Sequence, residues 1–332
     1  QTFNTGYFAG GTPGPHNSRV ERIDYSNDTP KTSVKGSLSV GRTVLAATGN
    51  GFFGYFGGGE QPGSVFLSSV DRIDYSNDTA TASPKGPLTD IRKDLAATGN
   101  ADFGYFAGGL PSPYKSTIYR IDYGSDTATA SPKGLLTVGR STHAATGNSD
   151  FGYFGGGQPT PAKSTVDRID YSNDTATASP KGPLSAAKYE LAATGNADFG
   201  YFTGGRSPST LSTIDRVDYS NDTATASPKG PLSQGRYRLA ATGTSGFGYI
   251  GGGREPATSQ KVDRIDYSND TATTSRRGDL LVARHSLTAT SARDNGFSSV
   301  VDITLPPRNF PEGVYPKSAF GYFTQGSSGA KY

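Results

Sequence analysis

The 332-residue sequence predicts an all-β fold, a β-propeller of six blades with four antiparallel strands in each blade. The first observation is a repeat: RIDYSNDT begins at Arg22 and returns, with at most two changes, at 72, 120, 168, 216 and 264. The starts are 50 residues apart once and 48 apart four times. A second string, GYFAGG or a close variant, keeps the same period from Gly6 to Gly248. A fixed period of this length indicates a repeat architecture.

The second observation is that each unit contains four strand-like runs, seen most clearly in residues 188–235. LAATGN is short and built of small residues, FGYFTGG is aromatic, STIDRVDYS alternates, and TATASPKGPL is rich in Thr. Turn-forming Gly, Asn, Asp and Pro separate these runs. No stretch shows a helical period. Four antiparallel strands in about 48 residues are typical of a propeller blade.

The third observation is that each run suits one position in a blade. Only small side chains fit around a propeller axis, so LAATG is expected innermost. The aromatic pairs alternate along their strand and would fill the spaces between neighbouring blades. In the third strand Arg168 and Asp170 share one face and Ile169 and Tyr171 the other, which predicts a ring of Arg–Asp pairs within or between blades. The aromatic pairs are Tyr55/Phe56, Tyr105/Phe106, Tyr153/Phe154 and Tyr201/Phe202.

The ring must also close. GYFAGG at Gly6 has no LAATGN before it, and RHSLTAT at residues 284–290 has no GYFGGG after it. The later segment should therefore complete the first blade and leave no exposed sheet edge. This defines a propeller over residues 1–296. Residues 297–332 fall outside the repeat and are expected to form an arm, with a packing strand or a degenerate seventh blade as alternatives, because FGYFTQG at 320–326 partly repeats the aromatic run.

Composition excludes several partners. The net charge is only +3, with Lys and Arg spread evenly through the repeats, so no nucleic acid is expected. No apolar run is long enough to cross a bilayer, and no membrane insertion is expected. The chain has no Cys, Met or Trp, which excludes disulfides and thiolate metal sites.

Motifs that suggest chemistry have simpler interpretations, and we predict no enzyme, no cofactor and no metal. His16, His143 and His285 stand at non-equivalent positions. Asp24, Ser26 and Asp28 have the first spacings of a calcium loop but lack its Gly and Glu, so a turn is favoured. The Gly-rich strings lack the lysine and helix of a phosphate loop. Asn-Asp-Thr sequons are interpreted as turns, and the tripeptide at 277–279 as part of the Pro-Lys-Gly turn; the sequons begin at Asn27, Asn77, Asn173, Asn221 and Asn269.

The loops divide into two sets that antiparallel blades place on opposite faces. The loops between strands one and two and between strands three and four barely vary among repeats, whereas the other two sets vary strongly. Variable loops on a rigid scaffold are the usual location of binding specificity, although unconstrained drift and recent duplication are alternative explanations. The candidate binding residues on this variable face are Phe66, Tyr114, Lys115, Arg206, Tyr237, Arg238 and Arg254.

Over residues 1–290 the units resemble the kelch repeat: a Gly-Gly pair follows an aromatic strand, a V-x-x-I-D-Y-like strand comes next, and an Arg precedes the inner strand. The usual Trp of the last strand is missing. The repeat sequence DRIDYSNDTATASPKGPL also resembles repeats in kelch-like tail and fibre proteins of marine cyanobacterial phages. These resemblances imply a structural and binding module in a virion or extracellular setting, within a larger assembly, contacting other virion proteins and a host-surface glycan or protein.

A secreted, multivalent lectin-like propeller is the alternative function. An oxidase of the kind found on some kelch folds is disfavoured, because copper chemistry needs the Cys and paired His that this chain lacks.

Overall fold

The computed structural model describes residues 4–12 and 16–291, so the expected arm at 297–332 lies outside the described residues. The described chain forms six four-stranded antiparallel sheets, which confirms the predicted six-bladed propeller. From the innermost to the outermost strand they are blade 1, Thr288–Ser291, Thr5–Ala9, Val20–Asp24 and Ser33–Val34; blade 2, Ala46–Gly49, Phe53–Gly57, Val70–Asp74 and Ser83–Lys85; blade 3, Ala96–Gly99, Phe103–Ala107, Thr117–Asp122 and Ser131–Leu135; blade 4, Ala144–Gly147, Phe151–Gly155, Val166–Asp170 and Ser179–Lys181; blade 5, Ala192–Gly195, Phe199–Thr203, Ile214–Asp218 and Ser227–Lys229; and blade 6, Ala240–Gly243, Phe247–Gly251, Val262–Asp266 and Ser275–Arg276.

Other regular structure in the described residues is short. Two small hairpins, Glu60–Gln61 with Val65–Phe66 and Arg254–Glu255 with Ala257–Thr258, extend the loops of blades 2 and 6. Five blades carry a single turn of 3-10 helix after the third strand, and none of these turns has the length or apolar character of a membrane span. The 3-10 turns are Tyr75–Asn77, Tyr123–Ser125, Tyr171–Asn173, Tyr219–Asn221 and Tyr267–Asn269.

The third and the outermost strands of the blades are shorter than the sequence pattern indicates, as blades 4 and 5 illustrate. Tyr171 lies in the 3-10 turn rather than in the third strand, because the Asp170 side chain accepts a hydrogen bond from the Ser172 N–H and ends the extended segment. In blade 5 the outermost strand covers Ser227–Lys229, not the whole Thr-rich run. The chain then leaves the sheet at Gly230, where a Cβ atom would lie 1.9 Å from the Ala272 carbonyl oxygen of the next blade.

The core lies between the blades, as the alternating aromatic pairs predict. Tyr55 and Phe56 are both fully buried but point to opposite faces of their strand. Tyr55 packs in one apolar cluster with Phe106 of blade 3, while Phe56 packs in another with Tyr7 of blade 1. Each blade thus contributes to two interfaces, and none has a complete core of its own.

The ring closes without a seventh blade. Thr288–Ser291 pairs antiparallel with Thr5–Ala9 and supplies the innermost strand of blade 1. Blade 6 then contacts blade 1 directly, since the Tyr249 hydroxyl donates to Asp28 Oδ2 at 2.9 Å and the two Tyr rings of residues 249 and 25 stack at 4.7 Å. This contact leaves no place in the ring for an additional blade.

A repeated polar contact, here called the Asp latch, joins each blade to the next. In the blade 4–5 interface the Asp222 carboxylate accepts hydrogen bonds from the Tyr153 hydroxyl at 3.0 Å and from Arg168 Nη1 at 2.8 Å, and Lys181 Nζ lies 3.2 Å away. The predicted ring of Arg–Asp pairs is present. The partner, however, is the Asp of the following blade's SNDT turn rather than Asp170, whose carboxylate is occupied in capping its own turn.

All six interfaces have this latch. The carboxylates, each followed by the Tyr, Arg and third basic residue of the preceding blade, are Asp78 with Tyr7, Arg22 and Lys35; Asp126 with Tyr55, Arg72 and Lys85; Asp174 with Tyr105, Arg120 and Lys133; Asp222 as above; Asp270 with Tyr201, Arg216 and Lys229; and Asp28 with Tyr249, Arg264 and Arg277.

The Gly-Gly pair that follows each aromatic strand has a steric cause. Gly58 and Gly59 have φ values of +66° and +102°, a region that side-chain-bearing residues rarely adopt. The Gly59 N–H donates to the Arg92 carbonyl of the next blade at 2.7 Å. A Cβ atom at Gly58 would lie 2.7 Å from that same oxygen. The pair therefore lets two backbones approach closely enough to hydrogen-bond between blades.

A basic residue is also buried inside every blade. Arg42 donates to the Gly58 and Ser69 carbonyls and forms an ion pair with Asp71 at 3.1 Å. In blade 3, Tyr119 stands where blade 2 has Asp71, and the carboxylate comes instead from Asp90, which accepts from the Tyr119 hydroxyl at 2.5 Å and from Arg92 at 3.1 Å. A carboxylate therefore neutralises the buried arginine in both blades, but in blade 3 it comes from the loop before the innermost strand rather than from the third strand.

Candidate functional site

The variable loops lie together on one face, as predicted. In every blade the loop that leads into the innermost strand is bridged to the loop between strands two and three, for example Tyr189 with Arg206 and Tyr237 with Arg254. Around the axis on this face, one residue from each blade adopts a left-handed φ between 51° and 56°. These six residues, here called the mouth ring, are Val44, Asp94, Thr142, Glu190, Arg238 and Ser286.

Backbone hydrogen bonds join the mouth ring into a closed circle. The Asp94 N–H donates to the Val44 carbonyl at 2.9 Å, and the same bond recurs between each neighbouring pair until the Val44 N–H donates to the Ser286 carbonyl. A left-handed residue with a side chain costs about 1–2 kcal/mol, which these bonds offset. The circle holds six side chains at fixed positions around a depression of about 80 Å³ on the axis. The repeated backbone thus forms a scaffold for side chains that differ from blade to blade.

The chemistry of this face is concentrated at blades 5 and 6, in a group here called the Arg–Tyr cluster: Tyr189, Glu190, Arg206, Tyr237, Arg238 and Arg254. Arg238 Nε lies 2.6 Å from Glu190 Oε1, and Arg206 Nε lies 2.6 Å from Glu190 Oε2. The Arg206 guanidinium is also 4.9 Å from the centre of the Tyr189 ring and 4.7 Å from that of Tyr237. One buried carboxylate and two aromatic rings therefore fix two neighbouring guanidinium groups.

The terminal nitrogens of both guanidinium groups are unused. Among residues 4–12 and 16–291, Nη1 and Nη2 of Arg206 and Arg238 have no hydrogen-bond partner. The Arg206 and Arg238 side chains are 34% and 38% exposed, whereas Glu190 is 4% exposed. Arg238 thus donates a hydrogen bond from Nε to Glu190 and Arg206 forms an ion pair with it through Nε, while the outer edge of each guanidinium group faces solvent. Arginine binds carboxylate, sulfate or phosphate groups through such an edge.

Burial and neighbouring charges set the protonation states at the mouth. Burial raises the pKa of Asp94 to about 6, although Arg238 and Lys93 oppose that shift. Burial lowers the pKa of Arg238, but attraction by Glu190 and Asp94 outweighs burial and leaves that pKa above its usual value. Burial, together with Arg238 and Arg254, lowers the pKa of His285 to about 4. At neutral pH the mouth therefore combines fixed cations, a neutral His285 and a carboxyl group close to its titration range.

Four of the seven predicted binding residues converge on this cluster: Arg206, Tyr237, Arg238 and Arg254. The Tyr237 N–H and carbonyl meet the Arg254 backbone, and the Arg254 side chain is exposed with Nε 3.4 Å from the Pro256 carbonyl.

The other three lie in the sector of blades 2 to 4. Lys93 Nζ is 4.6 Å above the Phe66 ring and 2.9 Å from Glu60. The Tyr114 hydroxyl donates to Gln158 Oε1 at 3.2 Å. Lys115 forms backbone hydrogen bonds to Gly109 and Arg140.

Sequence reasoning missed two residues that organise the cluster. Tyr189 and Glu190 occupy the positions that Thr43 and Val44 hold in blade 2, so the variable string SAAKYE contained the signal. Asp94 was missed in the same way, within TDIRKD. Comparison of the repeats within the sequence did not reveal that one position in each repeat lines the mouth of the axis.

The opposite face is occupied by structural contacts. Asp24 Oδ1 accepts from the Ser26 N–H and hydroxyl, while Asp28 receives the latch, so the calcium-like spacing forms a turn as predicted. No group of three or more metal-binding side chains occurs within 4–12 and 16–291. Arg277 serves in the blade 6–1 latch where other blades use Lys. The sequon asparagines are all exposed on this face.

These features define the protein as a six-bladed β-propeller whose non-repeated side chains gather at one mouth of its axis. Comparison of the chain with protein-family models gave no match, and comparison with curated proteins gave no significant relative.

Proposed function

We propose that this chain is a non-enzymatic structural and binding module, a kelch-like component of a virion tail or fibre that presents its variable face to a host surface. The observation that carries the proposal is the Arg–Tyr cluster: exposed guanidinium edges are fixed by a buried carboxylate on a scaffold whose other polar repeats are consumed in blade-to-blade contacts. Rigid scaffolds with chemically distinct loops are suited to recognition. The similarity of the repeat wording to phage tail and fibre proteins supports the virion setting.

The near-constant face is proposed to make the assembly contacts. Its turns are nearly the same in every blade, with exposed Asp102, Asp150 and Asp198 at equivalent positions. A face that repeats around a ring offers equivalent contact points to a symmetric or stacked neighbour. The variable face then remains free for a ligand.

The lectin-like alternative receives less support. Sixfold multivalency needs six equivalent exposed sites, but the aromatic residues that repeat most faithfully, Tyr7 and its equivalents, are fully buried between blades. The exposed residues of the variable face differ from blade to blade. A glycan would therefore find one distinctive site rather than six copies.

Electron microscopy of the native material tests the proposal. The expected result is that the chain occupies a regular particle or filament. A dispersed monomer in native material, with no co-purifying assembly, would overturn the virion role.

A further inference from the structure

We propose that the Arg–Tyr cluster binds an acidic saccharide, with Arg206 and Arg238 donating from their free Nη atoms to one carboxylate or sulfate group of the sugar. The saccharide identity rests on the proposed attachment function. The anion specificity rests on the geometry of the cluster alone.

The arrangement of donors is the first argument. Glu190 Oε1 accepts a hydrogen bond from Arg238 Nε and Glu190 Oε2 forms an ion pair with Arg206 Nε, both at 2.6 Å, so the two side chains are oriented before any ligand arrives. The Tyr189 and Tyr237 rings restrict Arg206 further. Guanidinium groups fixed in this way lose little conformational entropy when they bind an anion through planar, paired hydrogen bonds.

Charge is the second argument. Arg206, Arg238 and Arg254 supply three positive charges, while Glu190 and Asp94 supply at most two negative ones. The local excess is small and confined to one sector. It suits a single acidic group rather than a nucleic acid, whose binding requires a track of cations along many phosphates.

Stacking is the third argument. Tyr189 and Tyr237 are partly exposed beside the guanidinium edges. A pyranose ring carrying an acidic group can contact an aromatic side chain with its apolar face while the acid meets the arginines. The depression of about 80 Å³ beside Glu190 and Arg238 accommodates a small polar substituent of that ring.

Calorimetric titration of the purified full chain tests this proposal with five probes. Hexagalacturonate carries carboxylates, a sulfated dextran oligosaccharide carries sulfates, maltohexaose is the neutral match, and inorganic sulfate and a short DNA duplex are the alternative anions. Binding of either acidic oligosaccharide in preference to all three others supports the proposal. Tighter binding of maltohexaose, free sulfate or DNA, or no binding of either acidic oligosaccharide, overturns it.

Variants locate the site. Arg206→Lys and Arg238→Lys keep the charge but lose the planar pair of donors, and each should weaken binding about tenfold or more. Glu190→Gln removes the charge that holds both Nε atoms, so the guanidinium groups lose their fixed orientation and binding should weaken. Lys163→Ala, on the variable face but outside the cluster, is the matched control. Equal affinity in all four variants would contradict the assignment, and circular dichroism verifies that each is folded.

Acid should strengthen the interaction. Asp94 faces Lys93 of its own loop, Glu60 of the blade 2 loop, Glu190 of blade 5 and Arg238 of blade 6, and its protonation removes a repulsive charge. Affinity is expected to rise between pH 7.5 and 5.5, and Asp94→Asn should flatten that rise. His285 stays neutral over this interval. A pH profile unaltered by Asp94→Asn would contradict this electrostatic account.

The two proposals fail separately. If the chain sits in a virion but no acidic oligosaccharide binds, the ligand class is wrong and the attachment role stands. If an acidic oligosaccharide binds at the cluster of a dispersed monomer, the anion site stands and the virion role falls.

Discussion

At the scale of single residues, the six latch carboxylates are the contacts on which the ring depends most. Asp222 is nearly buried and receives a hydroxyl, a guanidinium and an ammonium group from the preceding blade. Its removal would leave those donors without their acceptor in a site of low polarity. Breaking a buried ion pair from one side is far more costly than losing an exposed one.

Asp222→Ala is therefore expected to lower the free energy of unfolding by about 3–5 kcal/mol. Asp218→Ala, four residues earlier, is the control, because Asp218 only caps the 3-10 turn through Ser220 and should cost about 1 kcal/mol. Urea denaturation measures both. Losses of similar size would show that the latch adds nothing beyond the turn.

His143 is one of the groups that make stability depend on pH. His143 occupies the position where the other five repeats have Leu, is buried, and has no hydrogen-bond partner for either ring nitrogen within the described residues. Burial, with Arg140, lowers the pKa of His143 well below 6.5. The unfolded state then binds a proton below pH 6.5 that the folded state refuses, so stability is present above that pH and lost below it.

In His143→Leu the free energy of unfolding should no longer fall by up to about 1.4 kcal/mol for each pH unit below pH 6.5. The converse change, Leu95→His at the equivalent position of blade 3, should introduce the same loss. Unfolding midpoints between pH 7.5 and 5 measure both effects. Parallel pH profiles for the wild type and His143→Leu would contradict the assignment.

At the scale of a blade, the buried basic residue and its carboxylate act as a unit whose parts can be exchanged. Blade 3 has Asp90 and Tyr119 where blade 2 has Val40 and Asp71, yet both blades neutralise the buried arginine. A double-mutant cycle in blade 3 tests this exchange.

Asp90→Val alone should be strongly destabilising, because Arg92 loses its carboxylate. Tyr119→Asp added to it restores the pattern of blade 2 and should recover at least about 1 kcal/mol. Simple additivity of the two changes in chemical denaturation would show that the pair is not coupled.

The sequence was most informative at this scale. The period, the four strands and the alternation of Tyr55 and Phe56 follow from residue spacing and composition, because equivalent residues of all six units pack in equivalent interfaces between blades. The identity of the latch partner did not follow from the sequence, because Asp170 and Asp222 of the next blade are equally plausible ion-pair partners of Arg168 when only the sequence is considered. Only the placement of one blade against the next selects Asp222.

The sequence indicated only some members of the Arg–Tyr cluster, because the burial of a side chain is not visible in the sequence. Arg206, Tyr237, Arg238 and Arg254 were identified by type and loop, but the buried Glu190 that fixes them was not. A carboxylate in a variable loop is ordinary until its burial between two guanidinium groups is seen.

At the scale of the whole molecule, the closing interface is equivalent to the five others. Asp28 receives Tyr249, Arg264 and Arg277 of blade 6 just as Asp222 receives its partners. Asp28→Ala should therefore reduce the free energy of unfolding by about as much as Asp222→Ala, within about 1 kcal/mol. A much smaller loss, or a separate early transition for the closing interface, would show that the ring opens there first.

The two faces of the ring are predicted to do different work: the near-constant face contacts the assembly and the variable face remains open to a ligand. Because the chain has no cysteine, Asp150→Cys on the near-constant face and Arg254→Cys on the variable face each create a unique thiol. Maleimide labelling of the free protein and of the assembled particle measures their accessibility. We predict that assembly protects the thiol at position 150 and leaves the one at position 254 reactive; protection of position 254 with position 150 fully labelled would contradict the account.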